Sequence, residues 1–325
     1  MTQARSQLVN AEITPYYLVT ASCVRQSYLC GHCHLTGHNY EHRKRWVTER
    51  LALLSEVFAI EVAAYAVMSN HYHLVVRIET ERAWQWSDEE VIARWGRLFR
   101  LPAVIETARQ VGAPEALQAE VSALVYTWRE RLMSLSWLMR CLNEYLARRA
   151  NDEDGCRGRF WEGRFKSKAL LDEGAVLMAM AYVDLNPVRA QRAKTLATSS
   201  HTSIEQRLKR ATGERLECAV RLMPLTDSAN AVGSVTVSWV DYVAFVDWSG
   251  RHLHPEKRGV ITEGAPPLLA RMNLQAEGVL DWLGETTDMQ GLSVLGYSHS
   301  LVAYRTHRQL SFVKGKSLSE RLYYC

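Results

Sequence analysis

No apolar run in this chain is long enough to span a bilayer. The longest strongly apolar stretch is Ala175 to Val183, where a spanning helix needs about 20 residues. Met1 to Tyr17 carries Arg5, Asn10 and Glu12 and lacks the apolar core of a secretory leader. A cytoplasmic location without a membrane partner is therefore expected. Internal repeats and low-complexity tracts are also absent. The seven cysteines are odd in number and scattered, which argues for reduced thiols rather than a disulfide framework. Cys30-Gly31-His32-Cys33-His34 has the form of a c-type haem attachment site, but that chemistry needs export. Cys30 and Cys33 with some of His32, His34, His38 and His42 could hold zinc, yet no second Cys-x-x-Cys pair completes a well-spaced site. A plain polar loop accounts for the same residues.

What the chain does have is the make-up of a folded protein: 325 residues, 47% hydrophobic and 23% charged, enough for one large or two ordinary domains. The net charge of +4 says little, but its distribution says more. Arg157, Arg159, Arg164, Lys166 and Lys168 stand close together with one acid, Glu162, and with Phe160, Trp161 and Phe165 between them. Cations that track phosphates, interleaved with rings that stack on bases, suit single-stranded nucleic acid. A solvated strand edge would also read this way.

Tyr- and Val-rich Pro15–Cys23 predicts a strand, and the spacing of Trp46, Leu51, Leu54 and Phe58 predicts a helix over Glu41–Phe58. Ile60–Met68 and His71–Ile78 predict a hairpin through a turn at Ser69-Asn70. Residues from Glu81 to about Glu130 read as a helical insertion, opened by a capping box at Ser87 and Glu90. One long helix is expected across Trp128, Leu132, Leu135, Met139, Leu142 and Leu146. A strand over Gly163–Leu170 follows, then a helix from its N-cap Asp172 to about Asn186, stopped by Pro187. The order predicts an α+β fold, a ferredoxin-like sandwich with an antiparallel sheet and packed helices. Residues 1–195 form the expected main domain. Residues 196–325 are an accessory region with a strand-like run, Ser234–Phe245, and a helix over Leu268–Leu283.

Three features could carry chemistry. His71 and His73, two apart on a strand, project to one face and could hold a divalent metal while leaving it open; two surface histidines fit as well. Tyr182 and Asn186, four apart on a helix, share a face. A metal beside Tyr182 would let its hydroxyl, a poor nucleophile alone, attack a phosphodiester, with the Asn186 amide as a third ligand. A core tyrosine with Asn186 as a helix cap fits the same residues. The basic aromatic strip is the third feature.

Their order together is more specific than any one of them. The chain resembles the HUH single-tyrosine transposases, especially the REP-associated tyrosine transposases of bacteria, over about residues 14 to 195. The matching text is Tyr65-Ala-Val-Met-Ser-Asn-His-Tyr-His-Leu-Val-Val76, then Gly158-Arg-Phe-Trp-Glu-Gly-Arg-Phe-Lys166, then Ala181-Tyr-Val-Asp-Leu-Asn-Pro-Val-Arg-Ala190. The resemblance implies a transposase that cleaves and rejoins single-stranded DNA near a hairpin. Tyr182 would be the nucleophile, forming a 5′-phosphotyrosine link, and His71, His73 and Asn186 would bind Mg2+ or Mn2+. Arg157, Arg159, Trp161, Arg164, Lys166, Lys168 and Arg189 are the candidate DNA contacts. Relatives include monomers and homodimers. Ser69 stands where many relatives have proline, and the insertion and C-terminal region lengthen the chain beyond compact relatives. A hairpin-binding protein without turnover, a metal-dependent nuclease without strand transfer and a structural zinc protein are the competing readings.

Overall fold

The computed structural model describes residues 8–24, 29–31, 37–110, 114–227, 235–253, 264–284 and 292–324. In chain order these form β1 (Tyr16–Ser22), α1 (Arg43–Val57), β2 (Ile60–Val67), β3 (His71–Ile78), and four helices of the insertion, α2 (Thr80–Gln85), α3 (Asp88–Gly96), α4 (Ala103–Ala108) and α5 (Glu115–Leu132). Then come α6 (Leu135–Glu153), β4 (Lys166–Leu170), α7 (Glu173–Asp184) and α8 (Asn186–Arg189). The rest contributes α9 (Ser203–Ala211), β5 (Leu225–Thr226), β6 (Val235–Thr236), α10 (Trp239–Leu253), α11 (Pro267–Arg271), α12 (Ala276–Gly284), β7 (Val294–Leu295), α13 (Ser298–His307) and α14 (Lys316–Leu322).

The main sheet has the order β2-β3-β1-β4-β7. Its first three pairings are antiparallel, and β7 joins β4 in parallel. The α+β class stands. β1 and β2, joined through α1, are held apart by β3, so the strand-helix-strand unit is split. Period-two alternation gives the sheet two buried faces. Tyr17, Val19, Tyr72, Leu74 and Val76 meet α1, α6 and the insertion in one core. Leu18, Ala64, Ala66, Val75 and Leu170 meet α7 and residues from the C-terminal region in the other. Because α7 is covered on every side, it is apolar all round, with Ala175 to Val183 buried throughout.

The C-terminal region grips both ends of α7. At its start, the Asp172 carboxylate accepts from the Ala175 N–H (2.9 Å), from the Tyr297 N–H (2.8 Å) and from the Tyr323 hydroxyl (3.1 Å). At its end, the fully buried Asp184 accepts from the Ser203 and Tyr242 hydroxyls and from the Ile204 N–H (3.0 Å). Gly278 lets α12 meet α14, since a Cβ there would stand 1.9 Å from the Arg321 carbonyl oxygen.

Burial pushes the Asp184 carboxyl up from 3.8 to about 6, against the lowering effect of its three hydrogen bonds. The folded state thus takes up the proton more readily than the unfolded chain. The cost of burying the charge therefore grows as pH rises from 3.8 to about 6 and stays in full above that. Two outcomes are expected in melting experiments. Asp184→Ala strands three donors and should lose about 3 kcal/mol or more. Asp184→Asn keeps one acceptor oxygen for Ser203 and Ile204, and its stability relative to wild type should rise as pH goes from 3.8 to about 6 and stay level above that.

Four expectations need correction. The long helix over residues 128–146 is two, because Ser134 turns extended (φ −91°, ψ 117°) and starts α6. Apolar spacing continues across that break, so periodicity hides it. Pro187 does not end the helical path: it sits in the first turn of α8, where a missing N–H costs nothing. Among the described residues of the strand-like run 234–245, only β6 is strand. Ser238 then accepts from the Asp241 N–H (2.9 Å), and Tyr242, Phe245, Val246 and Ser249 bury one face of a helix. Packing at helical spacing overrides the strand preference of aromatic and β-branched residues. The helix over 268–283 is split into α11 and α12 at Asn273, whose φ is +51°.

Candidate active site

Ser69 and Asn70 make the expected turn, closed by the Met68 N–H on the His71 carbonyl (2.9 Å). β3 then turns His71 and His73 toward the face that α7 covers. Tyr72 points to the opposite face, where its hydroxyl donates to Asn143 Oδ1. The two imidazoles stand edge to face with centroids 4.7 Å apart, and the His73 ring meets the Tyr182 ring edge-on at 5.5 Å. Across the sheet, Thr20 on β1 lies between His73 and Lys166, and Leu18 lies between Val75 and Lys168. The histidine face thus carries two lysines of β4.

Both rings are held through Nδ1. Asn70 Oδ1 lies 2.6 Å from His71 Nδ1, and Thr20 Oγ1 lies 2.9 Å from His73 Nδ1. Such partners fix ring orientation and leave Nε2 for a ligand. His73 Nε2 is buried with no hydrogen-bond partner among the described residues, and so is the amide nitrogen of Asn186. Burial pulls His71 down to about 4 and His73 well below 6.5, with the charges of His71, Arg189 and Lys168 adding to the effect at His73. The imidazoles are therefore neutral, the form that binds metal. Lys168 is buried beside them, its Nζ without a partner among the described residues, and burial with the nearby Lys166 brings it down to about 8.

Tyr182 is 7% exposed. Its ring is enclosed by His73, by Trp282 at 5.5 Å and by the Arg189 guanidinium 4.6 Å from its centroid. Leu185 stays near-helical, donating to the Ala181 carbonyl (2.9 Å), so Asn186 follows Tyr182 by about one turn. Among the described residues no group of three His, Cys, Asp or Glu side chains is placed to hold a metal. A metal site here rests on His71, His73 and an amide. His73 fits that role through its open Nε2, and Asn186 would have to ligate through its amide oxygen.

The basic strip divides. Arg157, Arg159, Arg164 and Lys166 are exposed, whereas Lys168 turns inward to the histidine face. The Arg159 guanidinium donates to the carbonyls of Trp161 and Glu162, bracing its own loop. Trp161 is half-buried on the other side of the sheet, its indole N–H donating to the Asn143 carbonyl (2.8 Å) and its ring 5.7 Å from Tyr72. Of the cysteine cluster, His32, Cys33 and His34 lie outside the described residues; Cys30 is buried, which pushes its thiol up.

Three residues at this site escaped sequence reasoning. Thr20 is assigned by strand register, which no local motif encodes, and the same register turns the expected DNA contact Lys168 inward. Trp282 comes from a segment 100 positions on from Tyr182. Only Asn70, adjacent to His71, carried a local signal.

No family model and no curated protein matches the chain. Among solved structures, a REP-associated tyrosine transposase bound to a REP hairpin is similar, with 13% identity and a TM-score of 0.37, covering 72% of this chain and 97% of that chain.

Proposed function

We propose that this chain is a DNA strand transferase that cleaves and rejoins single-stranded DNA, beside a hairpin, through Tyr182. The observation that carries this reading is the contact of Tyr182 with His73, whose buried Nε2 has no partner among the described residues. A nucleophile beside open metal ligands, flanked by cations, suits phosphoryl transfer. The strand order and the two-faced sheet also agree with the ferredoxin-like sandwich.

In this reading His71, His73 and Asn186 hold Mg2+ or Mn2+, which when bound draws charge off a phosphate oxygen. Tyr182 attacks the phosphorus with its hydroxyl oxygen. The new P–O bond joins the tyrosine to the 5′ side of the break, and the P–O3′ bond breaks. The proton lost by tyrosine is matched by the one gained at the 3′-oxygen. A second 3′-hydroxyl reverses the step, so the bond energy is kept and no ATP is consumed. Arg189 and Lys168 bring positive charge to the phosphate, Arg189 with the fork that pairs two of its oxygens. Arg157, Arg159, Arg164 and Lys166 follow the flanking backbone, and Trp161 serves as a fixed apolar wall.

The test is incubation with Mn2+ and a hairpin-bearing single strand. The products should be one fragment with a 3′-hydroxyl that a polymerase extends, and one whose 5′ end is blocked by protein. Two free ends would indicate a hydrolytic nuclease, and binding without cleavage would indicate a hairpin-binding protein. Thr20→Val removes the partner of His73 Nδ1 and should weaken Mn2+ binding to the DNA-free protein by roughly 10–100-fold, read by calorimetry.

A further inference from the structure

The insertion and α6 present a second surface that the proposed chemistry does not use. Two guanidiniums lie against Trp137, Arg131 at 4.4 Å and Arg140 at 4.8 Å from its ring. Its ring also meets Trp95 at 5.7 Å and Phe99 at 6.4 Å, and Phe99 is 37% exposed. Trp95 in turn stacks on Trp128 at 5.6 Å, so the outer rings are backed by a buried aromatic core. Arg131 has no carboxylate partner among the described residues, and Arg140 is exposed with a 3.3 Å contact to Glu144.

Arg140 also lines a cleft of ≈ 470 Å³ between α6 and the loop before β4. Met139, Ala147, Trp161 and Phe165 give it apolar walls, and Asn143 and Arg164 stand among them. The cleft adjoins the strand ends at the histidine pair. Ser22 pairs with His71, the next residue Cys23 bridges to Trp161, and the Glu162 N–H donates to the Ser22 carbonyl (2.8 Å). A strand leaving the Tyr182 site around that end of the sheet would meet the cleft first, then Arg140 and Trp137, then Phe99.

We propose that this cleft and the Arg131–Trp137–Arg140 ladder form a track for single-stranded DNA flanking the cleavage point. The inference rests on the strand-transferase reading. Three features select nucleic acid as the occupant. Two arginines, Arg131 and Arg140, lie against the Trp137 ring. A guanidinium lying on a ring keeps its N–H edge free for phosphate. The one acid lining the cleft, Glu144, is already paired with Arg140 and Arg148. Rings held in place by packing offer stacking platforms without sequence preference.

The test compares fluorescence anisotropy of two labelled oligonucleotides: a short one confined to the hairpin and cleavage site, and one extended by about ten unpaired nucleotides. Wild type should bind the extended strand more tightly. Trp137→Ala should lose roughly tenfold of that gain, since stacking on one ring is worth about 1–3 kcal/mol per base. The pair Arg131→Gln with Arg140→Gln, half-buried and exposed respectively, should lose a similar factor and flatten the salt dependence by about one unit for each phosphate contact removed. This second variant guards against misfolding of the first, and melting curves check both. Covalent capture of the short oligonucleotide should be unchanged. The track is overturned if the folded variants keep the full gain, if the extension adds nothing in wild type, or if a duplex extension binds equally well. An extension effect that depends on these residues, in a protein that captures neither strand, would support the track and reject the transferase.

Discussion

A Tyr182→Phe chain should form no covalent link to DNA, while its melting temperature stays close to that of the wild type. Phenylalanine keeps every contact of the Tyr182 ring, with His73, Trp282 and Arg189, and removes only the hydroxyl. No hydrogen bond of that hydroxyl occurs among the described residues, so its loss strands no partner there. The stability change should fall within about 0.5 kcal/mol, as for substitutions that break no structural feature. The activity change should be total, because a covalent mechanism has no route around a missing nucleophile. DNA affinity should change little, since the cations remain. A denaturing gel and a thermal melt on the same preparation separate the two effects.

His73→Ala should slow single-turnover cleavage by about 10²–10³-fold. Polarisation of a phosphoryl oxygen by a metal is worth several kcal/mol, and about 1.4 kcal/mol is tenfold in rate. His73 has the most demanding position in the site. It is buried, neutral, held at Nδ1 by Thr20, and in ring contact with both His71 and Tyr182. The same variant should lose Mn2+ binding in calorimetry, a readout independent of turnover. Retained Mn2+ affinity with lost cleavage would assign His73 to positioning Tyr182 instead.

How far the site could be read from sequence follows from how locally each part is encoded. His71 and His73 share a strand and Tyr182 and Asn186 share a helical path, so spacing alone places each pair on one face. That Tyr182 meets His73 depends on α7 covering the same face of β3, which the order of elements suggested. The tether at Asp184 was invisible, because Ser203, Ile204 and Tyr242 reach it across 19 to 58 positions. Residues 234–245 misled for the opposite reason: their aromatic and β-branched side chains favour strand locally, while burial of Tyr242 and Phe245 at helical spacing decides the outcome. The break at Ser134 left no trace in the apolar pattern, since both helices bury the same stripe.

The central claim is that the Tyr182 oxygen becomes the covalent DNA link. It is tested most directly by digesting the protein–DNA adduct formed in Mn2+ and locating the nucleotide by mass spectrometry. The account predicts a 5′-phosphonucleotide on the peptide that contains Tyr182. A nucleotide on any other residue, or an adduct of unchanged yield from Tyr182→Phe, would contradict it.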